Sequence, residues 1–491
     1  MRFVPSTPNG SLLLSALEET SDSHDTALAQ DILAKAAEVI EAREAGKTPD
    51  QPTTEHQIVQ VLAEWTDAHL ADDPQKASVH QAELEAKSGV HPFAFAKAQD
   101  LLRRRGHDRP PYDGTYYRPW DPNDASQKDF GKVKHHLKND AKIGFYGDWG
   151  TGGEDAWHLF YEMMKHKPDV LLHLGDIYNT GNHYDIKHKF LEPMDEVCRH
   201  LGVSRPPVLT IPGNHEYFTK AKSYFHMLDT LNSAHGSEWL QEASFFCLRT
   251  ADHKWQFIGS DTGLQSYTKR HGHGAGAGKT VPGFEDSELE WHRKRISEFP
   301  GRTVFLSHHQ VVSPDFSMYS GPASGASGNY TYWNPNLVEA FACHMPSGSA
   351  NPNKTYLEAI DLWLWGHDHW FVPFVDNVTV PTFGQTPAGA KLRRGRLLGG
   401  SARETKATRT VAPAFAGLVA KDDKGDPALP YYTPDNTPKN QLYNAICNHT
   451  YGILDLSTGL LNHYQTPAWY DGTKQPPQTR TLKNPILTDK F

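Results

Sequence analysis

Side chains that commonly bind metals recur directly after short apolar runs in the middle of the chain. Asp, Asn and His supply the hard and borderline ligands that suit Zn²⁺, Mn²⁺ or iron. Because ligands in open α/β sheets bind beyond the carboxyl ends of strands, we expect these segments to meet at one place. In chain order they are Gly147-Asp148-Trp149-Gly150, Gly175-Asp176, Gly213-Asn214-His215-Glu216, Ser307-His308-His309-Gln310 and Gly366-His367-Asp368-His369.

This set holds more donors than one tetrahedral ion can use, since such an ion takes at most four ligands and keeps one position open for catalysis. Asp176 has two oxygens that could bridge two ions. His367 and His369 are two residues apart, so on a regular strand both would point to one face. Two ions about 3.5–4 Å apart can hold a phosphoryl group and generate hydroxide at neutral pH. The pattern therefore predicts a dinuclear metal centre.

The elements that must position these residues follow from the alternation of β-rich runs and helical stretches after about residue 140. That alternation is typical of an α/β domain. A closing hairpin is expected at 452–456 and 460–464, around Thr458-Gly459. We expect strands at 143–146, 170–174, 208–211, 257–259, 304–306 and 362–365, and helices at 157–164 and 287–299.

The rest of the chain divides by composition and periodicity. Residues 24–105 show helical spacing of apolar residues, with Thr54-x-x-Gln57 resembling a capping box and a last helical segment at 93–102. The predicted organisation is a helical N-terminal region at 1–110, a linker at 111–139, an α/β domain at 140–465 with an insertion at 384–440, and an irregular tail at 466–491.

Taken in order, the five polar segments resemble the blocks of the calcineurin-like metallophosphoesterase superfamily: Gly-Asp, Gly-Asp, Gly-Asn-His-Asp/Glu, a strand-borne His and Gly-His-x-His. The resemblance covers roughly residues 140–465. It implies an α/β fold, a two-sheet αββα sandwich that here carries an N-terminal helical extension. It also implies two divalent or trivalent metal ions, Fe, Mn or Zn.

The resemblance further implies a role for each matched residue. Metal 1 would be bound by Asp148 and His369, with Asp176 bridging to metal 2. Metal 2 would also be bound by Asn214, His308 and His367.

Four further residues are candidates for the substrate side of the site, the first two of them by the same resemblance. His215 would protonate the leaving group or steady the transition state, and Glu216 would orient His215. His309 is adjacent to His308, so only one of the two can point inward from a strand end, and His309 is expected to face the substrate or support a ligand. His183 is a candidate phosphate contact, with a surface histidine as the alternative.

The first block departs from the pattern of many family members, because Gly150 stands where they carry histidine. The Asp-x-Gly form is similar to the purple acid phosphatase branch, in which a tyrosine after the second block binds the first metal. That branch has Gly-Asp-x-x-Tyr, whereas Tyr178 follows Asp176 one residue earlier. Tyr178 is therefore a candidate ligand that would favour an iron site; the alternatives are a packed tyrosine or an extra water, with Mn²⁺ or Zn²⁺.

The implied activity is that of a metal-dependent phosphoric ester hydrolase. We expect hydrolysis of small phosphomonoesters by attack of a metal-bound hydroxide, with His215 assisting the leaving group. The alternative is a phosphodiesterase acting on cyclic nucleotides or other small diesters. A non-catalytic binding protein with the same fold is a third interpretation.

Composition restricts the partners. Lys+Arg number 49 and Asp+Glu 58, a net charge of −9, which disfavours nucleic acid or an anionic membrane as the main partner.

No apolar run reaches the length of about 18 residues that a transmembrane helix needs. The N-terminus lacks a signal-peptide pattern, which predicts a cytoplasmic protein, or a secreted or periplasmic one if a leader has been removed. The four cysteines lie far apart and are expected to be free thiols.

Overall fold

The structure is a computed structural model. The residues that it describes are 5, 7–22, 27–48, 52–71, 73–87, 115–266, 281–314, 332–383, 388–403, 417–422, 424–430, 447–468 and 484–491. The helical segment expected at 93–102 lies outside the described residues.

The strands of the described chain fall where apolar residues are densest. Most of the predicted runs are found within one or two residues of their expected ends. In chain order the strands are β1 (Lys132–Leu137), β2 (Lys142–Tyr146), β3 (Val170–His173), β4 (Val208–Thr210), β5 (Phe246–Thr250), β6 (Trp255–Gly259), β7 (Arg302–Ser307), β8 (Ile360–Trp365), β9 (Phe371–Pro373), β10 (Val378–Thr379), β11 (Lys391–Leu392), β12 (Gly395–Leu398), β13 (His449–Asp455), β14 (Leu460–Thr466) and β15 (Leu487–Lys490).

Two main sheets contain nearly all of these strands. Within the described ranges, one sheet has seven strands in the order β1-β5-β6-β7-β8-β12-β9, and the other has six in the order β15-β14-β13-β2-β3-β4. Strands β6, β7 and β8 run parallel in the first sheet, as do β2, β3 and β4 in the second. The carboxyl ends of each parallel group therefore lie at one edge of its sheet.

Helices cover the outer faces of both sheets. In chain order the α-helices are α1 (Pro8–Asp22), α2 (Ala27–Glu44), α3 (Thr54–Leu70) and α4 (Pro74–Lys87) of the N-terminal extension, followed by α5 (Glu154–Met164), α6 (Glu192–Leu201), α7 (Asn214–Tyr217), α8 (Lys222–Leu228), α9 (Asp286–Ser297), α10 (Pro335–Phe341) and α11 (Tyr356–Ala359). Short helical turns occur at Ala125–Gln127, His183–Asp185, Ser233–His235 and Ser237–Trp239, with a π-helical stretch at Ile186–Leu191.

The apolar core is arranged in layers. Side chains from both sheets, such as Phe145 and Leu306, pack together between them. Outside the seven-stranded sheet, Trp363 packs with Phe341 of α10, and outside the six-stranded sheet Leu171 belongs to the same cluster as Leu159 of α5. This confirms the expected αββα sandwich.

The N-terminal extension has a separate core, formed by α1 to α4. Leu13, Val39, Leu62 and Trp65 are among its buried side chains. The capping box lies one residue earlier than expected: the side chain of Thr53, rather than Thr54, accepts a hydrogen bond from the backbone N–H of His56. Helix α1 begins well before residue 24, where the sequence pattern first indicated a helix.

Three segments expected to lie outside the sandwich contribute strands to it. Strand β1 falls in the expected linker and pairs with β5. Strand β12 falls in the expected insertion, yet it lies between β8 and β9 in the seven-stranded sheet. Strand β15 falls in the expected irregular tail and pairs with β14. The sandwich is therefore larger than residues 140–465.

The four cysteines are free thiols, as expected. Among the residues that the structure describes, no helix combines the length and apolarity needed to cross a membrane.

Candidate metal centre

The polar segments lie together where strands of both sheets end. Asp148 follows β2, Asp176 follows β3 and Asn214 follows β4, all in the six-stranded sheet. His308 follows β7, and the pair His367 and His369 follows β8, in the seven-stranded sheet. The site is therefore built between the two sheets.

Three donor atoms form one half of this site, here called cluster 2: Asn214 Oδ1, His308 Nε2 and His367 Nδ1. Asn214 Oδ1 lies 3.3 Å from His308 Nε2 and 3.0 Å from His367 Nδ1. The two histidine nitrogens are 3.3 Å apart. Asp176 Oδ1 lies 3.4 Å from His308 Nε2, so the carboxylate of Asp176 borders this cluster.

The other half, cluster 1, consists of Asp148, Tyr178 and His369. The Tyr178 hydroxyl lies 2.7 Å from Asp148 Oδ1 and 3.2 Å from His369 Nε2. Asp148 Oδ1 is 3.4 Å from His369 Nε2. Asp148, Asp176 and His369 each offer a ligand atom within 4.8 Å of the others. Asp176 therefore borders both clusters.

The separations between donors fit shared metal ions. Ligand atoms about 2.1 Å from one ion are about 3.0 Å apart in octahedral geometry and about 3.4 Å apart in tetrahedral geometry. The donor pairs of cluster 2 are 3.0–3.3 Å apart, the Asp176–His308 pair is 3.4 Å apart, and the pairs that His369 forms in cluster 1 are 3.2 and 3.4 Å apart. The residues present could thus hold one ion in each cluster.

Backbone strain is concentrated at the candidate ligands. Asp148, Asp176 and His367 have φ of 56°, 65° and 70°. Non-glycine residues rarely adopt this left-handed region, and such strain persists where the surrounding structure fixes it, commonly at functional sites. His367 N–H donates to Asp148 Oδ2, and His215 N–H donates to Asp176 Oδ1, at 2.9 and 3.1 Å.

The glycine before Asn214 permits the closest approach in the site. A Cβ at Gly213 would lie 2.0 Å from Asp176 Oδ1 and 2.7 Å from His308 Nε2. No side chain fits there without displacing the donors of cluster 2. A glycine at position 213 is therefore required by the packing of the Asp176 carboxylate.

The ring of His308 has a fixed orientation. Its Nδ1 lies 2.9 Å from the carbonyl oxygen of Leu174 and donates a proton to it, which leaves Nε2 free to bind a cation. His308 is completely buried. This carbonyl is thus a supporting group of the kind that holds metal-binding histidines.

The pKa values of the site reflect burial and the charges of its carboxylates. Burial raises the pKa of Asp148 to about 7, and the charge of Asp176 contributes to that rise. Burial would lower the pKa of His308, but the Asp176 carboxylate outweighs it and raises the pKa to about 9. Burial lowers the pKa of His367 to about 3. Adding a metal ion would compensate the buried carboxylates directly.

His215 lies at the edge of the clusters. Its Nδ1 donates to the carbonyl oxygen of Asn179 at 2.6 Å, and its Nε2 is 3.8 Å from Asp176 Oδ2. Burial lowers the pKa of the ring, while the charge of Asp176 opposes that shift. The structure thus leaves Nε2 on the side of the Asp176 carboxylate.

Glu216 does not orient His215 as expected. Its carboxylate accepts hydrogen bonds from the backbone N–H groups of Ile177 and Gly213, and so joins the second and third blocks. The partner of the His215 ring is the carbonyl of Asn179. A backbone group leaves no residue-type signal, which is why the motif alone suggested the adjacent carboxylate.

The two remaining predicted residues differ in position. His309 is buried, receives support from Thr262 Oγ1 at 3.0 Å from its Nδ1, and offers a nitrogen within 4.8 Å of those of His308 and His367. His183 is exposed on a helical turn, and none of the described contacts connects it to either cluster. The structure brings His309 to the site and leaves His183 on the surface.

One residue of the site, Arg403, was not found from the sequence. Its Nη1 donates to His369 Nε2 at 3.0 Å, and its guanidinium carbon lies 5.5 Å from the centre of the Tyr178 ring. It sits in Gly-Ser-Ala-Arg within the expected insertion, where nothing in the sequence marks it as functional. The guanidinium places a positive charge beside cluster 1.

One comparison with known proteins covers the part of the chain that holds both clusters. The model of the calcineurin-like phosphoesterase family matches residues 141–371. No curated protein sequence matches the chain.

Among solved structures, a purple acid phosphatase from yellow lupin (Lupinus luteus) is 12% identical, with a TM-score of 0.36 over 67% of this chain and 52% of the lupin chain. The chain thus spans about half the length of the lupin enzyme. The protein TT1561 of Thermus thermophilus is also 12% identical, with a TM-score of 0.31 over 66% of this chain and 98% of that one.

The family match contains all five polar segments, from Asp148 to His369. Residues 141–371 therefore resemble a calcineurin-like phosphoesterase domain.

Proposed function

We propose that the chain hydrolyses small phosphomonoesters at a dinuclear metal site. The observation that carries this proposal is the position of Asp176 between two donor clusters, with distances to each that suit a bridging carboxylate. The family match supports phosphoester chemistry in general.

In this proposal Asp148, Tyr178 and His369 hold one ion, and Asn214, His308 and His367 hold the other, with Asp176 between them. Iron, manganese and zinc all suit these donors. Two bound ions would neutralise charge on the phosphoryl oxygens and supply an activated water. The phenol of Tyr178 within cluster 1 supports a purple acid phosphatase-like centre.

His215 is the proposed general acid. The carbonyl of Asn179 keeps the proton on Nδ1, so Nε2 faces the bridging carboxylate and the space next to it. From there Nε2 would, in the doubly protonated imidazolium, give its proton to the oxygen of the departing alcohol and leave the neutral Nδ1–H ring behind. General acid catalysis of this kind contributes about 10²- to 10⁴-fold.

Arg403 supports the choice of monoesters. A metal ion and an N–H donor compete for the same lone pair of His369 Nε2. With an ion in cluster 1, the guanidinium of Arg403 would therefore turn from His369 to the phosphate bound at that ion. Guanidinium groups bind phosphate oxygens through paired hydrogen bonds. A monoester dianion carries one more negative charge than a diester, so Arg403 would favour the monoester.

The test is hydrolysis of p-nitrophenyl phosphate and of bis-p-nitrophenyl phosphate by the chain loaded with Mn²⁺, Zn²⁺ or iron. We expect the monoester to have the higher kcat/KM. Faster turnover of the diester would favour the phosphodiesterase alternative, and no turnover of either with metals bound would favour a binding protein.

The role of His215 has its own test. His215→Ala should lower kcat about 10²- to 10⁴-fold on esters of aliphatic alcohols, with metal content unchanged. The control is His183→Ala, which removes an exposed histidine and should match the wild type. Loss of metal in His215→Ala would instead make His215 a ligand.

A further inference from the structure

Polar side chains of helix α1 contact the loop that follows Asp176. Ser15 and Glu18 lie on one face of the helix, three residues apart. Ser15 Oγ accepts a hydrogen bond from Asn182 Nδ2 at 2.7 Å. Glu18 Oε2 accepts from Asn179 Nδ2 at 2.9 Å and forms an ion pair with Lys189. The N-terminal helical region therefore touches the segment that carries the candidate site.

This contact is buried. The side chains of Lys189 and Asp185 are 6% and 0% exposed, and that of Glu18 is 14% exposed. Lys189 also lies 3.1 Å from Asp185 Oδ1, so its ammonium group is held between two carboxylates. Removing one partner of a buried ion pair is costly, because it leaves charge uncompensated. The contact between α1 and the loop therefore depends on the buried charges of Glu18, Lys189 and Asp185.

The same loop supports the ring of His215. Asn179 is held at its side chain by Glu18, and its backbone carbonyl accepts the Nδ1 proton of His215 at 2.6 Å. Thr219 Oγ1 donates to the neighbouring carbonyl of Thr180 at 3.1 Å. Glu18, Asn179 and His215 consequently form a continuous chain of polar contacts from the N-terminal helix to the imidazole.

We propose that Glu18 is a positioning residue for His215. By holding Asn179, it keeps that carbonyl on Nδ1, which fixes the tautomer and aims Nε2 at the leaving group. Partners of this type tune histidines in other sites by orienting the ring and setting its protonated nitrogen. The inference rests on the proposed role of His215 as general acid, and it makes α1 part of the working site.

The test uses two leaving groups. Departure of p-nitrophenolate needs little protonation, whereas departure of an aliphatic alcohol, as from glycerol 2-phosphate, depends on the acid. Glu18→Ala should lower kcat on glycerol 2-phosphate about tenfold and kcat on p-nitrophenyl phosphate less than about twofold, with KM and metal content unchanged. Glu18→Gln keeps an oxygen that can accept from Asn179, so it should recover most of the loss.

The matched control is Asp67→Ala, which, like Glu18→Ala, removes the accepting carboxylate. Asp67 Oδ1 accepts from Asn9 Nδ2 of α1 at 2.8 Å, so this change weakens a contact of the same helix with α3 rather than with the loop. We expect wild-type rates on both substrates. Equal losses on both substrates in Glu18→Ala, or no loss on either, would overturn the inference.

A second measurement is independent of turnover. ¹⁵N NMR of labelled histidine reports which nitrogen of His215 carries the proton. We expect the Nδ1–H tautomer in the wild type and a mixture in Glu18→Ala, and an unchanged tautomer would overturn the inference. A wild-type chain that hydrolyses neither ester would contradict the proposed function, whereas an active wild type with a normal Glu18→Ala variant would contradict only the role of Glu18.

Discussion

The two donor clusters share Asp176 but differ in their surroundings. In cluster 2, Asn214 and His308 are 4% and 0% exposed, and the imidazole of His308 is fixed by a backbone carbonyl. In cluster 1, the His369 side chain is 17% exposed, and Arg403 lies next to it. Each cluster has one partly exposed histidine, His367 in cluster 2 and His369 in cluster 1, so the difference lies in what supports the ligands: a backbone carbonyl in cluster 2 and a neighbouring guanidinium in cluster 1.

Both clusters join the two sheets. Asn214 follows a strand of the six-stranded sheet, whereas His308 and His367 follow strands of the seven-stranded sheet. In cluster 1, Asp148 and Tyr178 come from the six-stranded side and His369 from the other. Metal binding should therefore stabilise the packing of one sheet on the other, because an ion that binds only the folded chain shifts the unfolding equilibrium.

The largest effect is expected at the shared residue. Asp176→Asn removes the negative charge between the clusters and should cost the chain both ions and all measurable hydrolysis. Metal content by mass spectrometry and the rate with p-nitrophenyl phosphate check this. Asp140→Asn, an exposed substitution of the same chemistry, should change neither. Retention of two ions in Asp176→Asn would mean that the clusters do not depend on a common bridge.

The next largest effect is expected from substitutions that each change one cluster. His308→Ala and His369→Ala should each lose one ion, but His308→Ala should also destabilise the metal-free chain, by about 1–3 kcal/mol, because it empties a buried position and leaves the Leu174 carbonyl without its donor. His369→Ala should lower stability less, since His369 is partly exposed. Chemical denaturation of the metal-free variants measures the difference, and equal losses would contradict the contrast between the clusters.

A smaller effect is expected at Arg403. Arg403→Gln should weaken inhibition by inorganic phosphate about tenfold and raise KM for the monoester, with two ions retained, because one charge-assisted contact to phosphate is lost. Arg302→Gln is the control: Arg302 begins β7, at the opposite end of that strand from His308, and its removal should leave phosphate inhibition unchanged. Unaltered inhibition in Arg403→Gln would remove Arg403 from the substrate site.

The smallest effect on rate is expected at Tyr178. Loaded with iron, the wild type should show the visible absorption of a phenolate–Fe³⁺ bond, and Tyr178→Phe should lose it while keeping two ions and most of its activity. An absorption spectrum of the concentrated protein checks this. A wild type that binds iron without colour would leave Tyr178 as a packed tyrosine beside Asp148.

Much of the fold could be predicted because its signals are local. Strands β2, β3 and β7 are short apolar runs followed at once by Gly-Asp or Ser-His, so the pattern gives both the strand and the side chains at its end. The order of those segments carried the family resemblance, and the resemblance implied the αββα sandwich.

The features that were missed depend on contacts between residues distant in the chain. Strand β12 belongs to the sheet because it pairs with β8 and β9, and nothing in Gly-Arg-Leu-Leu distinguishes it from a loop. Glu18 and Asn179 are 161 positions apart. Arg403 acts next to His369 through chain folding alone, and the carbonyl that supports His215 belongs to a residue whose type carries no signal.

The most direct test of the dinuclear site is anomalous X-ray diffraction from crystals of the metal-loaded chain. We expect two peaks, one on each side of the Asp176 carboxylate, the first bordered by Asp148, Tyr178 and His369 and the second by Asn214, His308 and His367. A single peak, or peaks away from Asp176, would contradict the proposed centre.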